Sequence, residues 1–388
     1  MFILIISRGI PSKRHPQWGC FEKDQAEALA AIGHKVVVAS VDSRFLWEWR
    51  NIGITTKHIN HVTYYDSFLI PGSITGLFGR KFNLDIKQWQ IKNIYQKVLK
   101  EHGRPDIIYG HFSFVTCNAV KIALENKIPI VGMEHNAIFN EEHISPYISW
   151  ISNYTYNNID KIISVSQNLK ERIKYHFGKE SIVIHNTVGK EFLNAPCAMP
   201  STKMIKYVAT GSLIYRKGYD LLINAFKDLA LPKDTWTLSI IGEGEERENL
   251  QNQINEADLQ NNIFLVGQKN KDQIIDILSK SQIFLMPSRN ENFSVALLEA
   301  LACGLPVITS DCGGAKDCIS DINGRIFPVD DLTTLKEIIL NVQQQKITFD
   351  NQLIVQNCRD NYSPEVIANK ITTIFEQVIR DYENSTSN

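Results

Sequence analysis

Short apolar runs recur along the chain and alternate with stretches of helical period. FILIIS (2–7), KVVVASV (35–41), DIIYGH (106–111), IPIVGMEH (128–135), KIISVS (161–166) and SIVIHN (181–186) predict near-continuous buried strands. Between several of them lie amphipathic patterns such as FEKDQAEALAAIG, which closes at Gly33 as a helix C-cap does. Such alternation predicts a parallel sheet covered on both faces. It fades over 191–202, EFLNAPCAMPST, whose two prolines predict a linker. It resumes with KYVATG, TWTLSIIG, NIFLVG, QIFLMPS and LPVITSD. Two doubly wound α/β domains are therefore expected, 1–190 and 203–364, with the cleft between them as the default active site. A last helix, over 365–388, opens at a Ser-Pro signal and could cap either domain; packing back on the first is expected. The segment 43–100 is aromatic and basic with weak strand signals, and is expected to be an insertion that shapes the cleft.

Composition narrows the class. A chain of 388 residues, 44% hydrophobic and 21% charged, suits a soluble protein of two domains. The first apolar run, Phe2 to Ile6, has no basic region before it and is too short for a signal peptide. No window approaches the ~18–20 apolar residues of a membrane span. Seven scattered cysteines form no C-x-x-C pair, so a disulfide framework or structural zinc site is not expected, and a reducing cytoplasm is. Residues 1–190 hold 23 Lys and Arg against 16 Asp and Glu, while the remainder holds 18 against 26. A basic first part suits an anionic partner, either a phosphorylated small molecule or an acidic lipid surface. No nucleic-acid-binding motif is present.

Candidate chemistry concentrates in RNENFSVALLEALACGLP, 289–306. Ser294 reads as an N-cap and Gly304 with Pro306 as a stop, which predicts a helix over about 295–303. Glu299 has Val295, Ala296, Ala302 and Cys303 at its i±3 and i±4 positions, so it projects from a helix apolar all round. A carboxylate there calls for a specific polar partner. The helix N-terminus offers free N–H groups to an anion near Ser294 and Val295, with Glu291 at the cleft mouth. A second group is GSLIYRKGYD, 211–220: Gly211 turns the chain after a strand, and Arg216 and Lys217 precede a helix. Arg as a fork and Lys as a point charge suit a diphosphate. IIGEGEER, 240–247, contains G-x-G at Gly242 but lacks the third glycine of a dinucleotide fingerprint. It reads instead as a strand-end turn lining the cleft. In the first domain His111 and His135 end strands, where either a structural or a catalytic role is open, and Gly19 in PQWGCF permits close backbone approach before a helix.

Taken together these stretches resemble the retaining glycosyltransferases of family four, which have the GT-B fold. The most specific marker is E-x7-E, Glu291-NFSVALL-Glu299, followed by EALACGLPVITSDCGG. GCFEKDQAEALAAIGHKVVV, YGHFSF, KIISVSQNLKERI, IHNTV, TGSLIYRKG, IIGEGEE and MPSRNENFS follow the family order over nearly the whole chain. The resemblance implies transfer of a sugar from a nucleotide-diphosphate donor, a UDP-sugar first, to a hydroxyl of a glycan or lipid-phosphate-linked acceptor. It implies retention of configuration and no metal or other cofactor. The setting it implies is bacterial surface polysaccharide, capsule or lipopolysaccharide synthesis, in the cytoplasm or on the inner face of the membrane. By position, Glu291 would bond the donor sugar and Glu299 the ribose. Backbone N–H groups at Phe293, Ser294 and Val295 would hold the distal phosphate, with Arg216 and Lys217 neutralising the leaving diphosphate. Gly242, Gly267 and Gln268 would lie at the nucleoside. His111 would meet the sugar near the reacting carbon, Gly19 would approach the diphosphate, and Trp18, His135 and Asn292 would contact sugar or acceptor. Ser212 stands where the family turn commonly has Arg, and Asn292 where Gly is usual; IHNTV lacks the frequent N-G-V-D. A nucleotide-sugar epimerase of the same fold, or a non-catalytic nucleotide-sugar-binding subunit, is the alternative.

Overall fold

The computed structural model describes residues 1–11, 18–42, 51–69, 79–198 and 204–386. Met1–Thr187 with Pro364–Asn388 form one compact unit, and Val188–Ser363 form a second. In the first unit, strands β1 (Phe2–Ser7), β2 (Lys35–Val41), β3 (Gly53–Ile59), β4 (Val62–Phe68), β5 (Ile107–His111), β6 (Ile130–Glu134), β7 (Lys161–Ser164) and β8 (Ile182–Val183) make one sheet. Its order is β3-β4-β2-β1-β5-β6-β7-β8, parallel except for the β3–β4 pair. All of β1, β5 and β6 is buried, as continuous apolar runs covered on both faces require. The strand order reverses between β2 and β5 on either side of β1, and ligands bind outside the carboxyl ends at such a point.

The second unit's sheet contains β9 (Ile205–Thr210), β10 (Trp236–Ile241), β11 (Ile263–Gly267), β12 (Ile283–Met286), β13 (Val307–Ser310) and β14 (Gly324–Phe327). They are parallel in the order β11-β10-β9-β12-β13-β14, with the switch point between β9 and β12. Phe226 stacks on Trp236 with centroids 4.3 Å apart, and Tyr207 meets Phe226 edge-on, which anchors the helix Tyr219–Leu229 on this sheet. Both units are thus Rossmann-like α/β sheets with helical connections.

Three parts of the sequence reading are corrected. Residues 53–68 and 80–102 of the expected insertion are integral to the fold: β3 and β4 extend the sheet, and the helix Arg80–His102 packs its Ile91, Ile94, Tyr95 and Val98 in the core. The rest of that segment, 43–50 and 70–78, lies outside the described residues. The hairpin hid because Asn60 and His61, at φ 47° and 65°, turn the chain without the glycine that usually marks such a turn. Residues 191–198 are not a spacer, since Phe192, Leu193 and Ala198 are buried within the second unit and Ala198 N–H donates to Cys303 O at 2.8 Å. Of the expected linker, residues 199–202 lie outside the described residues. The edge strand β14, GRIF, is too short and too polar to stand out in the pattern.

The helix Pro364–Thr386 belongs to the first unit, where Phe375 meets Tyr109 with centroids 5.0 Å apart and His34 Nε2 pairs with Thr372 Oγ1 at 2.8 Å. Among the described residues no helix is long and apolar enough to cross a membrane.

Candidate functional site

The loops that leave β9 and β12 carry the charged candidates of the second unit. After β9 the chain passes Gly211 and turns through Tyr215–Lys217 into Gly218, at φ 69°, the left-handed N-cap of Tyr219–Leu229. A Cβ at Gly218 would collide with the Pro287 carbonyl oxygen, so glycine lets the two loops touch. Arg289 N–H donates to Arg216 O at 2.8 Å and ties them together. The Arg289 guanidinium forks Asp220 at 2.8 and 2.7 Å, reaches Asp330 at 2.8 Å, and lies over the Tyr215 ring at 4.0 Å. Arg289 opens the motif at 289–306, and a bracing role for an arginine between loops leaves no local sequence signal.

This brace presents Lys217 to Glu291. Lys217 Nζ bonds Glu291 Oε1, Arg216 Nη1 lies 3.6 Å from the same oxygen, and the Lys217 and Glu291 side chains are only 15% and 13% exposed. Arg216 Nη1 also donates to Asn290 O at 2.6 Å. Two cations and one carboxylate thus meet at the carboxyl end of the switch point, while Ser212 is exposed nearby.

The helix Val295–Ala302 begins beyond Ser294, which sits at the N-cap without a side-chain capping bond. Phe293 is buried and Ser294 and Val295 are half-buried. The helix is apolar all round Glu299, as expected, but Glu299 itself is half-buried and shares a partly accessible stripe with Val295 and Ala296. Asn292 is buried and has an ordinary negative φ, so the position tolerates a side chain. The close backbone approach falls on Gly313, at φ 57°, where a Cβ would strike Glu291 O, and Gly314 N–H donates to Asn292 O. Gly242 (φ 148°) and Gly267 (φ 75°) stand at the ends of β10 and β11, joined by Gly242 N–H to Gly267 O at 3.1 Å, with Gln268 exposed beyond. A Cβ at Gly242 would meet the Gly211 carbonyl.

The remaining candidates gather at the switch point of the first unit. His111 ends β5 and is fully buried, and its Nδ1 lies 3.1 Å from Nε2 of His135. Burial, and then the charge of Arg8, hold the His111 ring down to a pKa of about 3. Burial comes first for His135 as well, which is held well below the ordinary range. Glu134, itself buried, orients this corner. Its Oε1 accepts from the His135 and Asn136 N–H groups at 3.0 Å each, and its Oε2 from Ser113 N–H and the Tyr156 hydroxyl at 2.9 and 2.7 Å. Gly19, at φ 75°, caps the helix Cys20–Ala31 where a Cβ would strike Gly9 O, and half-exposed Trp18 donates Nε1–H to Arg8 O at 3.0 Å. Arg8 and Glu22 escaped the sequence reading. Glu22 is wholly buried and forks Arg8 at 2.7 and 3.2 Å, and the Arg8 guanidinium lies 4.2 Å from the Phe112 ring centroid. Arg8 directly follows β1 at a switch point, and that placement was the available signal.

The candidate residues therefore form two groups, one at each unit's switch point. Among the described residues no three His, Cys, Asp or Glu side chains converge as a metal-ligand set.

Two family models match. "Glycosyltransferase Family 4" covers residues 23–192 and "Glycosyl transferases group 1" covers 200–356, so each falls largely on one unit. The gpi3 subunit of phosphatidylinositol N-acetylglucosaminyltransferase from Schizosaccharomyces pombe is 24% identical over 91% of this chain and 76% of its own. Alignments to several other relatives span 49–65% of those proteins' lengths. Among solved structures, the lipopolysaccharide outer core galactosyltransferase WaaB is similar at a TM-score of 0.71 and 19% identity, covering 97% of this chain and 100% of that one. Anabaena HepE in complex with UDP is similar at 0.73 and 17%, over 97% and 99%.

Proposed function

Since the chain belongs to the glycosyltransferases of the family-four type, with the GT-B fold, we propose that it moves a sugar from a UDP-sugar to a hydroxyl of a glycan or lipid-linked acceptor, with retention, in surface-polysaccharide or lipopolysaccharide synthesis. One observation carries this reading: Lys217, Arg216 and Glu291 meet beside the open N-terminus of Val295–Ala302 at a switch point. A leaving diphosphate gains negative charge as the bond to the sugar breaks. Fixed cations and N–H dipoles aimed at that charge stabilise the transition state most. Lys217 and Arg216 are those cations, in a transfer that requires no metal. The sugar hydroxyls go to Glu291, the ribose to Glu299, the base to the turn at Gly267 and Gln268.

Retention follows a front-face path. The acceptor oxygen bonds the anomeric carbon on the side the diphosphate leaves, and its proton passes to a diphosphate oxygen. Glu291 is tied by Lys217, which suits a sugar-binding carboxylate better than a free nucleophile. The lipid-linked acceptor is supported by the phosphatidylinositol named in the activity of the fission-yeast relative and by the basic first part of the chain. The helix Arg80–His102 adds exposed Phe82 and Trp89 beside Arg80, Lys81 and Lys92, a composition suited to the inner face of an anionic membrane.

Release of nucleoside diphosphate from a donor panel in the presence of lipid-linked glycan extract tests the reading. Release should require acceptor and fall at least about a hundredfold in Glu291→Ala. Intact transfer by that variant would overturn the site assignment, and donor isomerisation without acceptor would mean an epimerase.

A further inference from the structure

The helices Arg80–His102 and Ser113–Asn126 pack side by side in the first unit and leave a groove of about 450 Å³ along their seam, within the span of small-ligand sites. The first helix lines it with residues 85, 88, 89, 92, 93 and 96, the spacing of one helical face, and Lys121 and Ile122 close it from the second. The core is already filled from this helix by Ile91, Ile94, Tyr95 and Val98, so packing does not account for an indole in the groove. Trp89 is 53% exposed and makes no ring contact or hydrogen bond with the described residues.

Gln88 supplies a second observation. It is buried, with 5% of its surface exposed, and its Nε2 donates to Cys117 O at 3.0 Å and to the Tyr154 hydroxyl at 3.1 Å. A backbone carbonyl only accepts, so the nitrogen end of the amide must face it, which fixes where the oxygen lies. Oε1 accepts from none of the described residues, yet it is not among their sealed polar atoms, so it opens on the groove that Gln88 lines. A held amide oxygen without a donor is a ready acceptor for a ligand N–H or O–H.

The lining chemistry narrows the ligand. Asn93 and Gln96 add two carboxamides whose side chains bond none of the described residues. Carboxamides both donate and accept, as sugar hydroxyls do. The electron-rich face of an indole suits the C–H face of a pyranose, whose hydrogens the ring's oxygens leave slightly positive. Charge is balanced: Lys92 Nζ pairs with Glu125 Oε2 at 2.9 Å across the seam, and Asp85 offsets Lys121. That balance disfavours a phosphate and suits a neutral ligand.

We propose that this groove is a carbohydrate-binding site separate from both switch points, in which Trp89 stacks on a neutral sugar ring and Gln88 Oε1 accepts from one of its hydroxyls. Lys121 lies about 12 Å along its helix from Ser113, where that helix leaves the carboxyl edge of the sheet. A glycan held there is gripped by an inner sugar unit, away from the reacting hydroxyl. That the glycan is the acceptor chain rests on the glycosyltransferase reading; the binding of sugar does not. Arg80, Lys81 and Phe82 lie outside the groove and leave the first turn of the same helix for the membrane.

Ligand-observed NMR titration of the full chain with maltotetraose, cellotetraose and tetra-N-acetylchitotetraose, without donor nucleotide, tests the site. At least one should bind the wild type, at least about tenfold more weakly in Trp89→Ala, and nearer to wild type in Trp89→Phe, which keeps a ring. Binding by none of the three, or binding unchanged in Trp89→Ala, would overturn the proposal. Loss of phosphatidylglycerol-vesicle binding instead of sugar binding in that variant would give the groove to lipid and overturn it too. If Trp89→Ala does not fold, the double variant Asn93→Ala/Gln96→Ala decides in the same way. In the donor-release assay Trp89→Ala should raise KM for the lipid-linked glycan at least about tenfold and hold kcat, and a fall in kcat at unchanged KM would contradict a binding role. Sugar binding by a chain that transfers nothing would uphold the groove and sink the glycosyltransferase reading; transfer by a chain whose groove binds no sugar would do the reverse.

Discussion

Lys217 and Glu291 lie on loops from neighbouring strands, 74 residues apart in sequence, and share one partly buried bond. Each therefore has a double role, toward the other and toward a bound donor. Lys217→Met should lower transfer at least about a hundredfold, as loss of a charge aimed at a leaving group does. Glu291→Gln should lower it too, and the double variant should fall well short of the product of the two, because residues in one network are not additive. Multiplicative losses would separate the two side chains. The His111 ring predicts a pH dependence of stability. Its pKa is about 3 in the folded chain and about 6.5 in the unfolded one, so between these values the unfolded chain holds a proton the folded chain lacks. Stability present above pH 6.5 is thus lost as the pH falls, by up to about 1.4 kcal/mol per unit for this ring. Denaturant midpoints from pH 7 to 5 should fall less steeply in His111→Gln, and equal slopes would contradict the assignment. At this scale the sequence announced Glu291, Lys217 and His111 through spacing and strand-end position. Arg8, Glu22 and Arg289 act through other side chains, which no local pattern encodes.

The elements explain why these side chains meet. β9 and β12 are adjacent only because the connection through β10 and β11 carries the chain to one edge before it returns to the other side of β9. The loops then touch through Gly218, where no side chain fits. Gly218→Ala should destabilise the second unit by about 2–3 kcal/mol, through both strain at positive φ and collision with Pro287. Its thermal transition should drop by at least about 5 °C, with transfer lost alongside. An unshifted transition would mean that the loops do not need this contact. Strands buried on both faces, such as FILIIS and KVVVASV, were plain from their apolar runs. β3, with GITTKHI, and β14, with GRIF, are exposed or short edge strands whose pairing partner supplies what composition does not. The helix Val295–Ala302 was readable to within a residue because its N-cap serine and terminating glycine both lie in the sequence.

For the whole molecule, strand–helix alternation made two Rossmann-like units legible, and the matched family models divide the chain in the same way. The apparent linker misled because loss of periodicity marks irregular backbone, which is buried here as readily as exposed. The basic first part predicts that the full chain co-sediments with phosphatidylglycerol vesicles more than with neutral ones, and less at high salt. Equal partition into both would remove the membrane from the proposed acceptor chemistry. The central claim is that the second unit's switch point holds a nucleoside diphosphate through Lys217, and calorimetric titration of UDP, GDP and ADP into the wild type and Lys217→Met tests it most directly. UDP should bind the wild type most tightly of the three and the variant at least about tenfold more weakly, a loss of about 1.4 kcal/mol. Absence of binding by all three, or UDP binding unchanged in Lys217→Met, would contradict it.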